Sequence, residues 1–203
     1  MHQTGVKEAP TTLTLQKFHS VLTTFSDKDL VRQFKEEHDR NQVFNLIVRK
    51  YQENLYWHIR KILISHDDTD DALQNTFIKA FEALDNFRED SSLYTWLYRI
   101  ATNEALTALK KRRTKYFVPI GELQNHLENT LMSDPHFDGN EAQMMLQKAI
   151  LRLPQKQRLV FNMKYFDEMK YEDMAEILNT SVGSLKASYH HAVKKIEQML
   201  KSN

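Results

Sequence analysis

The stretch DDALQNTFIKAFEALDNFREDSSLYTWLYRIATN (Asp70–Asn103) decides the fold. Leu73, Phe77, Phe81 and Leu84 recur at spacings of three and four, the repeat of a helix face rather than the alternation of a strand, and predict a helix from about Thr69 to Leu84. The polar run DNFREDSS interrupts the pattern as a loop. Ser91 or Ser92 then caps a second helix, whose buried stripe is Leu93, Trp96, Leu97 and Ile100 and which extends to about Arg113. Neither Gly nor Pro occurs between Thr11 and Val118, so the turn chemistry that a hairpin-rich protein needs is missing.

Upstream, Phe44, Ile47, Val48, Tyr51, Leu55, Ile59 and Ile62 predict one long helix from about Asn41 to Ile64. A shorter helix precedes it, opened by Ser26 with Asp29 three residues later in a capping-box-like start. Downstream, Pro119, Gly121, Pro135 and Gly139 mark an extended linker at 114–140, with any helical turns in it left open. Helices are expected at Ala142–Leu153, Pro154–Phe166, Tyr171–Leu178 and Ser184–Leu200. The expected fold is all-α, with two small helical domains joined by an extended linker and a helix-turn-helix in the second. Its divisions are a mobile extension at 1–25, a first domain at 26–113, the linker at 114–140 and a second domain at 141–203.

The 203 residues carry 28 Lys and Arg against 27 Asp and Glu, a net charge of +1 that hides a strong asymmetry. Arg99–Lys115 holds six basic residues and one Glu, whereas Tyr116–Gln147 holds five acids and no Lys or Arg. With no cysteine in the chain, disulfides, thiol nucleophiles and the common zinc sites are excluded. No apolar run approaches the roughly 20 residues needed to cross a bilayer, and the first residues lack the basic and apolar regions of a signal peptide. A cytoplasmic location without membrane insertion is the expectation.

Three constellations could carry function. In ISHDDTDDALQNTF (Ile64–Phe77), Asp67, Asp68, Asp70 and Asp71 precede an apolar helix. A calcium loop would need a Gly at its sharp turn and a distal Glu, and this run has neither, so no metal is expected. Acids in a first helical turn complement the macrodipole, and those left over, with Gln74, form an acidic face suited to a basic partner. On the next helix, Thr95, Arg99, Thr102, Asn103, Lys110 and Arg113 share the face opposite Trp96 and Ile100. Cations there would neutralise phosphates, Asn103 could bond a base, and Phe87, Tyr94, Trp96 and Tyr98 could stack on unpaired bases. In YEDMAEILNTSVGSLKASYHHAVKKIEQML (Tyr171–Leu200), Met174, Ile177 and Leu178 give a short helix and NTSVG a tight turn. Leu185, Tyr189, Ala192, Ile196 and Met199 line the core side of the last helix, leaving Ser184, Ser188, His191 and Lys195 outward as on a recognition helix.

Together these stretches resemble bacterial RNA polymerase sigma factors of the extracytoplasmic-function (ECF) group within the sigma-70 family. The first block carries the resemblance at Asp71, Gln74, Phe77, Phe87, Arg88, Thr95, Trp96, Leu97, Arg99, Ile100, Ala101 and Asn103. The second carries it from Leu153 and Pro154 through Tyr171, Ala175, Ile177, Ser181, Val182, Gly183 and Lys186. The resemblance implies that Asp68, Asp71, Gln74 and Phe77 dock on a coiled coil of core RNA polymerase. It implies further that Phe87, Arg88, Ser91, Thr95, Trp96, Arg99, Asn103, Lys110 and Arg113 bind and melt the −10 element, capturing a flipped base. Ser181, Ser184, Lys186, Ser188, His191 and Lys195 would read the −35 element, and the acidic linker would thread a basic polymerase cleft. The implied partners are core polymerase and double-stranded and melted promoter DNA. An anti-sigma factor is admitted as a further partner, and no cofactor is implied.

Two departures from the family pattern involve three positions. Asn75 stands where a carboxylate is frequent, and Ser188 and His191 stand where Arg is frequent. A lost bidentate Arg–guanine contact removes roughly 1–3 kcal/mol of discrimination, so phosphate and shape contacts are expected to carry more of the −35 recognition. The competing reading is a helix-turn-helix regulator with a separate N-terminal interaction domain. An enzyme is disfavoured, because no nucleophile–base arrangement, phosphate loop or isolated carboxylate dyad is visible.

Overall fold

The structure is a computed structural model that describes residues 25–36, 39–115, 123–134 and 139–201. The expected mobile extension, apart from its last residue, and Pro119, Gly121 and Pro135 of the linker lie outside the described residues. Among the described residues the architecture is all-α: α1 (Asp27–Glu36), α2 (Arg40–Leu63), α3 (His66–Ala83), α4 (Leu93–Lys115), α5 (Leu123–Met132), α6 (Glu141–Leu151), α7 (Gln155–Tyr165), α8 (Tyr171–Leu178) and α9 (Val182–Lys201). None of these helices is long and apolar enough to cross a membrane. The backbone divides into two compact units, one ending at Lys50 and one beginning at Tyr51, so that α2 contributes to both.

In the first unit, Ser26 and Asp29 form the reciprocal cap the sequence announces: each backbone amide donates to the other side chain, at 3.3 and 3.2 Å. Leu30, Val31 and Phe34 of α1 are buried, and Phe34 packs on Phe44 of α2 at 6.0 Å between ring centres. Lys50 closes an ion pair with Asp27 at 2.8 Å.

In the second unit, α2 ends at Leu63, the next residue, Ile64, takes a left-handed conformation (φ 65°), and α3 starts at His66. A β-branched residue pays of order 1–2 kcal/mol for that geometry; burial of the Ile64 side chain offsets it. Helices α3 and α4 pack against each other. The α3 side buries Thr69, Ala72, Thr76 and Ala80, all small enough for close approach, and α4 buries Leu93, Leu97, Ala101, Ala105 and Leu109 at every fourth position. Asp68–Arg112 (2.8 Å) and Lys79–Glu104 bridge the pair.

The linker contains an element that its Pro and Gly content obscures. Leu127 and Leu131, four residues apart, are both buried, and that shared face lets a ten-residue helix, α5, form within the stretch expected to be extended. Its polar side is tied down as well: Glu128 pairs with Arg152 at 2.9 Å, Arg112 donates to Thr130 at 3.3 Å, and Asp134, just past the helix, pairs with Arg60.

The last four helices enclose a core of Ala149, Ile150, Leu153, Phe161, Ala192 and Ile196, with Leu146, Phe166, Tyr189, Val193 and Met199 against it. Helix α8 leads into α9 through Asn179, which is left-handed (φ 46°, ψ 55°), and Ser181 caps α9 by accepting from the amide of Ser184 at 3.2 Å. In the sequence Gly183 closes the stretch NTSVG that is expected to form a tight turn. In the structure Asn179 makes the turn, and Gly183 lies in the first turn of α9 with open space where a Cβ would stand. Gly183→Ala is therefore expected to raise unfolding stability by about 0.5–1 kcal/mol in chemical denaturation. A loss would show that the site needs glycine.

The second unit also joins its α2–α4 side to its α7–α8 side. Asn162 donates to the Lys61 carbonyl at 3.2 Å, and the carboxylate of Asp167 meets both Lys61 and His58, the latter at 2.8 Å. Thr102 donates its only proton to the Tyr98 carbonyl (2.7 Å), so its oxygen accepts from His58 Nε2 at 2.9 Å. The two ring nitrogens of His58 thus face oxygen atoms, Nδ1 that of Asp167 and Nε2 that of Thr102. Burial pushes the Asp167 carboxyl up, but the His58 and Lys61 partners outweigh burial and hold it below the ordinary carboxylate range. Its folded value lies under its unfolded one. The stabilisation is thus fully present above about pH 4 and is lost as pH falls through the folded value. Asp167→Asn is expected to flatten the acid limb of the stability–pH profile in urea unfolding at stepped pH; parallel profiles would contradict the assignment.

Candidate nucleic-acid interface

Ser65 fixes where α3 begins. Its hydroxyl accepts from the Asp68 amide at 3.3 Å, and its carbonyl accepts from the Thr69 hydroxyl at 2.7 Å. The helix therefore starts three residues before the expected Thr69, and Asp67 and Asp68, rather than Asp70 and Asp71, occupy the first turn. Asp68 is committed to Arg112, and Asp70 lies 3.5 Å from His66. Asp71, Gln74 and Asn75 face solvent, followed one turn later by Ile78, which is 48% exposed. Phe77 is half-buried. The result is one polar, mainly acidic face with an apolar residue at its end. Among the described residues no three His, Asp or Glu groups gather to hold a metal ion.

Ser92 caps α4, accepting from the Thr95 amide at 3.0 Å. Arg88, Asn103 and Lys110 are exposed, while Ser91, Trp96 and Arg99 are half-exposed. Phe87 is buried and packs on Trp96 at 5.0 Å, so of these two rings Trp96 is the one accessible to a base. Thr95 is only 1% exposed, because its hydroxyl donates to Asp173 of α8 at 3.2 Å. Beside it, Arg99 Nη2 lies 3.9 Å from Glu176 of the same helix. Thr102 does not share the outward face as its helical spacing suggests: it is buried against His58. Tyr98 is buried too and packs against the Tyr94 ring at 4.3 Å between centres, so it is withdrawn from base stacking. Arg113 falls in α4, with its side chain outside the described residues.

Ser181, which caps α9, and Lys186 and His191 on it are exposed; Ser184, Ser188 and Lys195 are half-exposed. Lys186 lies over the Tyr171 ring at 5.7 Å, and Ser184 accepts from Lys156 at 3.5 Å. The opposite stripe of Leu185, Tyr189, Ala192 and Ile196 directs Ala187, His190 and Lys194 outward more fully than Ser188. The sequence reading omitted these three; centring the helical wheel on the buried stripe finds them.

The Sigma-70 region 2 family matches residues 47–115, which span most of α2, α3 and α4, and Sigma-70, region 4 matches residues 143–196, from α6 into α9. Relatives include the ECF RNA polymerase sigma factor SigW of Bacillus subtilis, 30% identical over 76% of this chain and 87% of its own length. The RNA polymerase sigma-H factor of Pseudomonas aeruginosa is 30% identical over 89% and 96%, and the ECF RNA polymerase sigma-E factor of Escherichia coli K12 is 32% identical over 77% and 85%. This chain is an ECF sigma factor of the sigma-70 family.

A sigma factor binds core RNA polymerase, recognises the −10 and −35 promoter elements, assists strand opening and directs initiation, and those are the functions of this one. Its fold is shared with CnrH, solved in complex with the cytosolic domain of CnrY (TM-score 0.63, 22% identity, covering 87% of this chain and 98% of that one). It is shared also with the sigma factor RpoE of Bartonella quintana, solved with the anti-sigma factor NepR (TM-score 0.61, 23% identity, covering 78% and 96%).

Proposed function

We propose that the division of labour in this sigma factor follows its two opposite faces. The α3 face of Asp71 and Gln74, flanked by Phe77 and supported by Asp68, docks on core polymerase. Arg88, Ser91, Trp96, Arg99, Asn103 and Lys110 of the loop and α4, with Phe87 backing Trp96 and Arg113 and Thr95 alongside, hold the melted −10 strand. Ser181, Ser184, Lys186, Ser188, His191 and Lys195 of α9 and its cap read the −35 duplex. On this map residues 26–113 recruit and melt, 114–140 link, and 141–203 bind upstream DNA. The protein acts in the cytoplasm, where the polymerase is, and has no catalytic chemistry of its own. An anti-sigma protein is proposed as a partner, since CnrH and the Bartonella RpoE are each described in complex with another protein.

The observation that carries the −10 assignment is Asn103: an exposed amide in the middle of α4, on the cationic segment and clear of the buried stripe. Asn103→Ala is expected to leave core binding unchanged and to lower open-complex formation by about tenfold, the effect of roughly 1.4 kcal/mol. Permanganate footprinting of a promoter with reconstituted holoenzyme reads it, and unaltered melting would refute the base-capture role.

A further inference from the structure

One cavity of the second unit is built from residues assigned neither to polymerase nor to DNA. It measures about 210 Å³ and lies where α2, α5 and α6 meet, walled mainly by the apolar surface of Tyr56, Trp57, Ile64 and Leu131. Trp57 is 52% exposed, so this wall can be reached from solvent, and its ring stands edge-on to Tyr56 at 5.2 Å between centres. Arg60 and Lys61 line the cavity too, and each charge is already matched: Arg60 pairs with Asp134 and Lys61 with Asp167. Arg60 is nevertheless incompletely bonded. It is 8% exposed, and its Nη1 is buried with no hydrogen-bond partner among the described residues. A guanidinium only donates, so an acceptor has to come from elsewhere.

These features define a ligand. The walls call for an apolar body. A cavity of about 150 Å³ holds one benzene ring, so one of about 210 Å³ has room for a ring and a short substituent. The Tyr56 and Trp57 rings favour a flat aromatic body, which can stack or meet them edge to face. The unpartnered Nη1 calls for one hydrogen-bond acceptor. The two ion pairs call for neutrality, because a carboxylate beside Asp134 would add a buried anion to charges that already balance. We infer that this cavity binds a small neutral aromatic molecule with one carbonyl oxygen, a ketone or an amide, its ring against Trp57 and Leu131 and its oxygen accepting from Arg60. The protein thereby carries an effector site on the linker side of α2. Since the ligand touches α2, α5 and α6 together, its binding also raises the unfolding midpoint.

Fluorine NMR of the full chain titrated with para-fluoroacetophenone tests the assignment, and saturable binding at a single site is expected. The isosteric hydrocarbon para-fluorocumene lacks the oxygen and should bind about tenfold more weakly. The anion para-fluorobenzoate should be weaker than the ketone by about the same factor or more. Trp57→Ala removes an exposed wall residue and should weaken the ketone about tenfold. Arg60→Met with Asp134→Leu removes the ion pair as a unit, and in that protein the advantage of the ketone over the hydrocarbon should vanish. A ketone that does not saturate overturns the site, and unchanged ketone affinity in Trp57→Ala places the binding elsewhere. Equal affinity for ketone and hydrocarbon removes Arg60 as the donor; a benzoate that binds as tightly as the ketone removes neutrality. Both of these last outcomes are read on the parent protein, so they decide the matter even where the double variant fails to fold.

Discussion

Asp71→Lys combined with Gln74→Ala is expected to weaken binding to core RNA polymerase by about a hundredfold while leaving the fold intact. Both side chains project into solvent from the middle of α3 and make no contact that the helix needs. Truncating central interface residues costs about 2–4 kcal/mol, and reversing a charge against a complementary surface adds repulsion to that loss. The control is Asp68. It pairs with Arg112 at 2.8 Å inside the protein, so Asp68→Lys should lower stability and binding together, whereas the Asp71 variant should lower binding alone. Fluorescence anisotropy with core polymerase and thermal unfolding, run on both proteins, separate the two effects. Wild-type affinity in the Asp71 variant would move the docking surface off α3.

Phe161→Ala should damage the other end of the molecule most. Phe161 is 4% exposed at the centre of an aromatic cluster, with Tyr165, Tyr189 and Phe166 rings at 5.1, 5.8 and 6.2 Å. Large-to-small changes of this kind cost about 3–5 kcal/mol, because the cavity left behind collapses only in part. That is comparable to the whole stability of a small helical domain. The region 4 helices should unfold or loosen at growth temperature, and −35-dependent transcription should fail while core binding through α3 persists. Two separated unfolding transitions, the upper one unchanged, would be the calorimetric signature. A single transition at the parental midpoint would show that Phe161 is not central to that core.

Helix identity was legible in the sequence because it is a local property. The expected α8 boundaries, Tyr171–Leu178, match the observed ones, and α2 and α9 differ by one or two residues at each end. The shift at α3 has a clear source: Ser65 caps the helix one turn ahead of the apolar repeat, its hydroxyl reaching the Asp68 amide and its carbonyl taking the Thr69 hydroxyl. Outward-facing side chains such as Asp71, Gln74 and Asn103 were also readable, because amphipathic spacing locates them without knowledge of neighbours.

What was not readable depends on contacts between residues far apart in the chain. Thr95 and Thr102 lie on the polar side of a helical wheel, yet Asp173 covers one and His58 the other, and nothing local to either residue announces those partners. The linker helix is hidden for a related reason. Leu127 and Leu131 stabilise it only once a surface exists for them to bury against, and the ion pairs of Glu128 and Asp134 reach Arg152 and Arg60, outside the linker.

Asn179 gives the bend into α9 its left-handed residue, which leaves Gly183 with no conformational duty and with vacant space around it. A side chain acquired there would arrive at the leading edge of α9, the helix proposed to read the −35 element, without disturbing the scaffold beneath. On the map proposed above, promoter preference can change at this one permissive position without altering the α3 and α4 faces assigned to polymerase and strand opening.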